Sequence, residues 1–424
     1  MTIFQKILYH AARLLLGVVF LFSGFVKSVD PQGFAYKLQD YFTAFGLTEL
    51  HPIAYTLAFL LVSLELYVGL LLLFSEWRKV AAVLVSVFML FFTPLTLYLA
   101  LANPVSDCGC FGDAVKLTNW ETFWKNVPLL LASLYLLKKA FGAKPAGQPI
   151  AYTGCRFVRH WLFPILLALW ALFPAFWATV SLPMIDFRPY HIGANLREAM
   201  RIPDDAPKDE YQTEFVYEKD GVQKTFSEFD YPWDDSTWHY VSSENRLVQK
   251  GYEPPIHDFA LEDETNSDHI PELLDRAGVS LLVVTPFLES LSPEDIATLN
   301  AVQKNATTAN ILVFHATASS PAQQHNLQQQ GLSTTLYTTN ERTLKTIVRA
   351  ATGVVLLKDG VVMNKWPLHG LPSADYFASL SGLSDTQLRG SGGTALVYLL
   401  GSVLVLLGVA RLVVKRKQCK KEER

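Results

Sequence analysis

Runs of about twenty apolar residues recur along the first half of the chain and constrain its fold more than any other feature. At 1.5 Å of rise per residue such a run matches a hydrocarbon core ~30 Å thick, and water offers it no stable surface position. The runs fall at residues 11–29, 53–74, 80–102, 123–137 and 161–180, with another at 394–414. They give about six candidate transmembrane helices; the shortest, 123–137, contains Pro128. The first run is too long for a secretory signal core and has no Ala-x-Ala exit, so it reads as a retained signal-anchor helix.

Basic residues orient these helices. Lys6 and Arg13, Arg78-Lys79, the 138–159 loop with Lys138, Lys139, Lys144, Arg156 and Arg159, and the tail from Lys415 to Lys421 all fall on one face if six crossings are counted. The excess of Lys and Arg marks the cytoplasmic side. Both termini are therefore expected in the cytoplasm of a bacterial inner-membrane protein, with residues 181–393 outside. The net charge of −3 leaves no basic field for nucleic acid. Membrane lipids and an extracytoplasmic redox or client protein are the expected partners.

This orientation separates the four cysteines. Cys155 and Cys419 lie in basic cytoplasmic segments and read as incidental thiols, whereas Cys108 and Cys110 sit in a loop on the oxidising side. Two thiols one residue apart can close a small strained ring, which favours exchange over permanence. Three readings stand: an exchangeable dithiol, a structural staple of a tight turn, or part of a metal site. The last needs further ligands, and His51, Asp107 and Asp113 show no recognisable metal spacing, so no metal is expected. Gly109 and Gly112 supply the freedom that a tight loop needs.

One carboxylate, Glu65, falls near the middle of an otherwise apolar run. An intramembrane carboxylate is a functional candidate; the alternative is a protonated Glu bonded to a neighbouring helix. Glu65 is a candidate to serve a proton or a quinone, although no quinone motif is visible and no cofactor is assigned. Lys27, near the outer end of the first helix, is expected to snorkel to the interface or to pair with Asp30 or an anionic head group.

Gly17, Ser23-Gly24, Lys27, Asp30-Pro31 and Gly33-Phe34, then Glu65, then Asp107-Cys108-Gly109-Cys110-Phe111-Gly112, resemble the DoxX/MauE group of four-helix membrane proteins over residues 1–140. The resemblance implies a redox-associated bundle and, in the MauE branch, disulfide maturation of periplasmic amine-oxidising enzymes.

Residues 183–393 change character and become polar. An extension, 183–253, contains a hairpin signal around Asp220-Gly221. From residue 254 the order is strand 279–284, helix 293–304, strand 311–314, helix 341–349 and a hairpin at 354–366. That order resembles a TlpA-type or peroxiredoxin-like thioredoxin fold over 254–380. Its dithiol is missing: Thr285-Pro286-Phe287-Leu288-Glu289-Ser290 stands where Cys-x-x-Cys is expected, and Ala351-Thr352-Gly353 where a cis-proline is expected. The expected fold is thus an all-α membrane bundle (1–140), a basic loop and fifth crossing (141–182), the extension, an α/β thioredoxin-like domain without thiols (254–393) and a last crossing with a basic tail (394–424). The expected function is thiol redox or electron transfer at the outer face through Cys108, Cys110 and Glu65. A non-enzymatic assembly factor or small-molecule scaffold with a structural Cys pair is the alternative.

Overall fold

The computed structural model describes residues 2–105, 107–142, 161–249 and 251–390. In its N-terminal part, α1 (Ile3–Val29) runs into a shorter amphipathic helix, α2 (Pro31–Ala44), at Asp30. Asp30 caps α2 by accepting from the Gly33 amide at 3.0 Å, and Pro31 takes the first helical position, where its missing N–H costs nothing. Then follow α3 (Ala54–Phe74), α4 (Arg78–Ala102), α5 (Asn119–Phe141) and α6 (Phe163–Val180).

Four helices among the described residues, Ile3–Val29, Thr48–Phe74, Arg78–Ala102 and Phe163–Val180, are long and apolar enough to cross a membrane. The chain is a multi-pass membrane protein. The expectation of six crossings is therefore reduced. Segment 123–137 lies within α5, but Lys125 and the terminal Lys138 and Lys139 dilute its hydropathy. Segment 394–414 lies outside the described residues, as do Cys155 and Cys419.

Apolar side chains alone do not drive helices together in lipid, so close backbone approach matters there. The α1–α3 seam has it. A Cβ on Gly24 would overlap the Leu66 backbone, and one on Gly69 would overlap Leu21. Around this seam Leu16, Phe20, Leu71, Val85, Met89, Leu129 and Leu167 form the bundle core.

The polar half contains two sheets. A short helix, α7 (Leu196–Met200), leads to a three-stranded antiparallel sheet of β1 (Glu210–Lys219), β2 (Val222–Ser227) and β3 (His239–Gln249), with β1 central. The Asp220-Gly221 turn has φ of 53° and 77°, the left-handed pair that a two-residue hairpin requires. On one face Phe215, Tyr217 and Phe226 pack with Tyr231 and Trp238.

The second sheet follows α8 (Ile270–Asp275): β4 (Val279–Val284), α9 (Pro293–Thr308), β5 (Leu312–Thr317), α10 (Pro321–Gln329), β6 (Leu336–Thr338), α11 (Glu341–Ile347), β7 (Gly353–Lys358), β8 (Val361–Pro367) and α12 (Ala374–Ser379). Strand order is β6-β5-β4-β7-β8; β4, β5 and β6 are parallel, while β7 pairs antiparallel with both β4 and β8. Its central strands are apolar throughout because both faces are covered. Leu282, Val284, Val355 and Leu357 face Leu273, Leu344 and Ile347, whereas Leu281, Val283, Val354 and Leu356 face Ile296, Leu299 and Phe377. Just past β4, buried Thr285 bonds His315 Nε2 at 2.9 Å and Thr352 at 3.2 Å.

Candidate functional site

The loop between α4 and α5 is closed at its base by Asn119, whose side-chain amide donates to Asn103 Oδ1 at 3.0 Å and to the Val105 carbonyl at 2.9 Å. Its tip is gripped from two helices. The Tyr41 hydroxyl of α2 donates to the Cys108 carbonyl at 2.8 Å, and the Ser23 hydroxyl of α1 donates to the Cys110 carbonyl at 2.6 Å. Asp107 accepts from the Gly109 amide at 2.8 Å and pairs with Lys37 at 3.1 Å. Gly109 has φ of 64°, and a Cβ there would stand 2.9 Å from Lys37 Cγ. Only glycine meets both conditions.

Cys108 and Cys110 are free thiols, the first buried and the second half-buried. The loop curls so that the Cys110 amide donates to Cys108 Sγ at 3.2 Å, and the Thr122 hydroxyl lies 3.4 Å from the same sulfur. The hydrogen bond from the Cys110 thiol lowers the Cys108 thiol to about 6; Thr122, the Cys110 amide and Lys125 help, while burial opposes them. The Cys110 thiol is pushed up because it holds its proton in that bond and is desolvated. Environment thus divides the two sulfurs into a thiolate and a proton-holding thiol. Burial also raises the Tyr41 phenol, which remains a neutral donor.

Glu65 pairs with Lys27 across the α1–α3 seam, and both are largely buried. Lys27 therefore does not snorkel; its ammonium turns inward to the carboxylate and lies 5.1 Å from the Phe34 ring centre. A Cβ on Gly112 would touch Val26 and Lys27, so the ion pair lies directly beneath the loop. Lys27 is also near enough for its charge to act on the Cys110 thiol, against the larger causes that raise it. His51 is elsewhere, 3.2 Å from Thr43. Among the described residues no three His, Cys, Asp or Glu side chains converge to hold a metal ion.

The domain built on the five-stranded sheet covers this end of the bundle. Arg349, just past α11, reaches Asp30 at 2.9 Å and Asp113 at 3.9 Å, with its guanidinium 5.3 Å from the Tyr36 ring centre. Arg342 meets Asp40 at 3.2 Å. Between them lies a cavity of about 590 Å³, bounded by Lys37, Asp107 and Gly109 on one side and by Arg342, Lys345 and Arg349 on the other. It meets the loop at residues flanking both cysteines. Sequence reasoning missed Tyr41, Thr122 and Arg349. None carries a local signal, because each reaches the loop from a distant element.

Residues 5–139 match the model of the family described as methylamine utilisation protein MauE. Residues 211–250, the three-stranded sheet, match that of a domain of unknown function (DUF8463). No curated protein and no solved structure matches significantly.

Proposed function

We propose that this chain, whose membrane bundle matches the MauE model, is a thiol–disulfide exchange protein acting at the outer face of the inner membrane. The observation that carries the reading is the unequal pair of sulfurs in a loop held by three helices. Cys108, as thiolate, attacks a disulfide of an extracytoplasmic client, and one client sulfur leaves as a thiolate. Cys110 gives up its proton and attacks Cys108 in the mixed disulfide. The client departs as a dithiol, the loop as a Cys108–Cys110 disulfide, and the reverse sequence oxidises a client.

Glu65 is assigned the proton-handling role, through Lys27. The soluble domain is assigned a docking role. Its strand order and terminal hairpin support a thioredoxin-like origin, and the Thr285–Thr352–His315 cluster occupies the place of the missing thiols. The domain lies at the same end of the bundle as the cysteine loop, which supports placing both on the outer side of the membrane.

The burial of Cys108 favours a second reading, an assembly factor whose cysteines only brace the loop. Cys110→Ser separates the two. With the resolving thiol removed, exchange chemistry leaves Cys108 in covalent complexes that reductant releases on a non-reducing gel. Their absence, together with full function in a Cys108→Ser/Cys110→Ser variant, would leave the bracing role.

A further inference from the structure

The segment leaving α6 folds over the sheet-containing domain and borders with it a second, half-open cavity, of about 470 Å³. Trp177 and Leu182 come from the membrane side, Ile347 and Trp366 from the domain. Its polar wall includes Asp186, Arg188 and Lys365, with His191, Asn364 and Ser181. Asp186 accepts from Arg188 Nε at 2.7 Å and from Lys365 Nζ at 3.0 Å, and two carbonyls complete the set: Thr346 for Arg188 at 2.7 Å, Ile347 for Lys365 at 2.8 Å. Arg188 is 4% exposed and Lys365 9%.

The charges here do not balance. Asp186 is the only carboxylate among the described residues lining the cavity, against Arg188, Lys365 and Arg349, and Arg349 is already matched by Asp30. One carboxylate between two buried cations leaves a positive charge where water is scarce, which is costly unless an anion joins it. Burial holds the Lys365 ammonium down to about 8, and Arg188 and Arg349 press the same way against Asp186. Gly390 also lines the cavity, and the sequence after it has no carboxylate before Glu422.

We propose that this cavity binds a phosphate-bearing ligand, with Lys365 and Arg188 as its charged contacts and the apolar wall receiving the rest of the molecule. The volume lies within the range of small-molecule sites. Lys supplies a point charge and Arg a planar fork, the usual pair for phosphate. The position, where the chain emerges from α6, suits either a lipid headgroup or a free phosphate.

The test uses the full chain and follows thermal unfolding. In neutral detergent, inorganic phosphate is titrated against chloride at matched ionic strength; in nanodiscs, phosphatidylcholine alone, whose phosphate charge is cancelled by its own choline, is compared with phosphatidylcholine containing phosphatidylglycerol, which is net anionic. Saturable stabilisation by phosphate in detergent identifies a free anion as ligand, and stabilisation only by the anionic lipid identifies a headgroup. Stabilisation by neither overturns the proposal. Lys365→Met should weaken the half-saturation concentration about tenfold or more, the worth of a charged hydrogen bond. Asp186→Asn, close in shape, should tighten it by removing the competing carboxylate. A structural ion pair predicts instead that Asp186→Asn only lowers stability and leaves the anion dependence unchanged or weaker, and that result would also sink the proposal, whether or not Lys365→Met folds.

Discussion

Removal of the Arg349 guanidinium should uncouple the soluble domain from the bundle without unfolding either. Arg349 is 7% exposed and Asp30 17%, so their pair is shielded from water, whereas Asp113 is 44% exposed and 3.9 Å away and adds little. Removing one partner of a buried pair costs ~3–5 kcal/mol. The lower end applies, because Asp30 keeps the Gly33 amide as a partner. At ~1.4 kcal/mol per tenfold, a cost of ~3 kcal/mol shifts the docked-to-undocked ratio roughly a hundredfold. Hydrogen exchange of Arg349→Ala, read by mass spectrometry, should accelerate in peptides covering residues 30–44 and 340–349. Peptides from β4 and β7 should not change. Asp30→Asn retains a capping side chain and removes only the charge, so the double variant should be distinctly less than additive, with a coupling of ~2–3 kcal/mol. Additive effects, or unchanged exchange around α2, would refute the idea that this pair holds the domain in place.

Alkylation of Cys108 should rise as pH passes about 6 and level off while an ordinary thiol, near ~8.5, is still protonated. Cys110→Ala, which removes the largest cause, should move that rise upward by roughly one to two pH units; an unmoved profile measured by rapid-quench labelling means that the Cys110 thiol does not support the thiolate. Glu65→Gln strands Lys27 in the bundle and should destabilise it by ~3–5 kcal/mol, whereas Lys27→Met/Glu65→Gln should refold the bundle yet lack exchange activity. Full activity in that double variant removes Glu65 from the chemistry. Gly24→Leu should separate α1 from α3 and cost at least ~1–3 kcal/mol, seen as lost thermal stability in detergent; wild-type stability would contradict the close backbone approach.

The legible parts of the fold were those with local causes. Apolar runs gave away α1, α3, α4 and α6, and the Asp-Gly pairs at 220–221 and 359–360, both with positive φ, gave away the hairpins. Central strands such as β4 and β7 stood out because both of their faces are apolar. Short or polar elements did not: β6 has three residues, and α10 is built mostly of Gln, Asn and His. Of the candidate site, the cysteine pair and Glu65 stand out by their places in the sequence, a loop between apolar runs and the middle of one such run. The partner of Glu65 was not, since whether Lys27 turns outward or inward depends on the α1–α3 register, which the glycine contacts set. Arg349 and Asp30 lie 319 positions apart, and nothing around either residue announces the other.

The docking of the domain is intramolecular, because the chain continues from α6 directly into it. A tethered partner has an effective concentration in the mM range when its linker is short, so a contact with an intrinsic Kd near ~1 mM, or ~4 kcal/mol, already stands half closed. The Arg349–Asp30 pair and the Tyr36 contacts need supply only the excess above that level. Closure over the cysteine loop is then independent of how much protein the membrane holds, and it responds to ionic strength in proportion as screening weakens the exposed contributions of Arg342, Asp40 and Asp113.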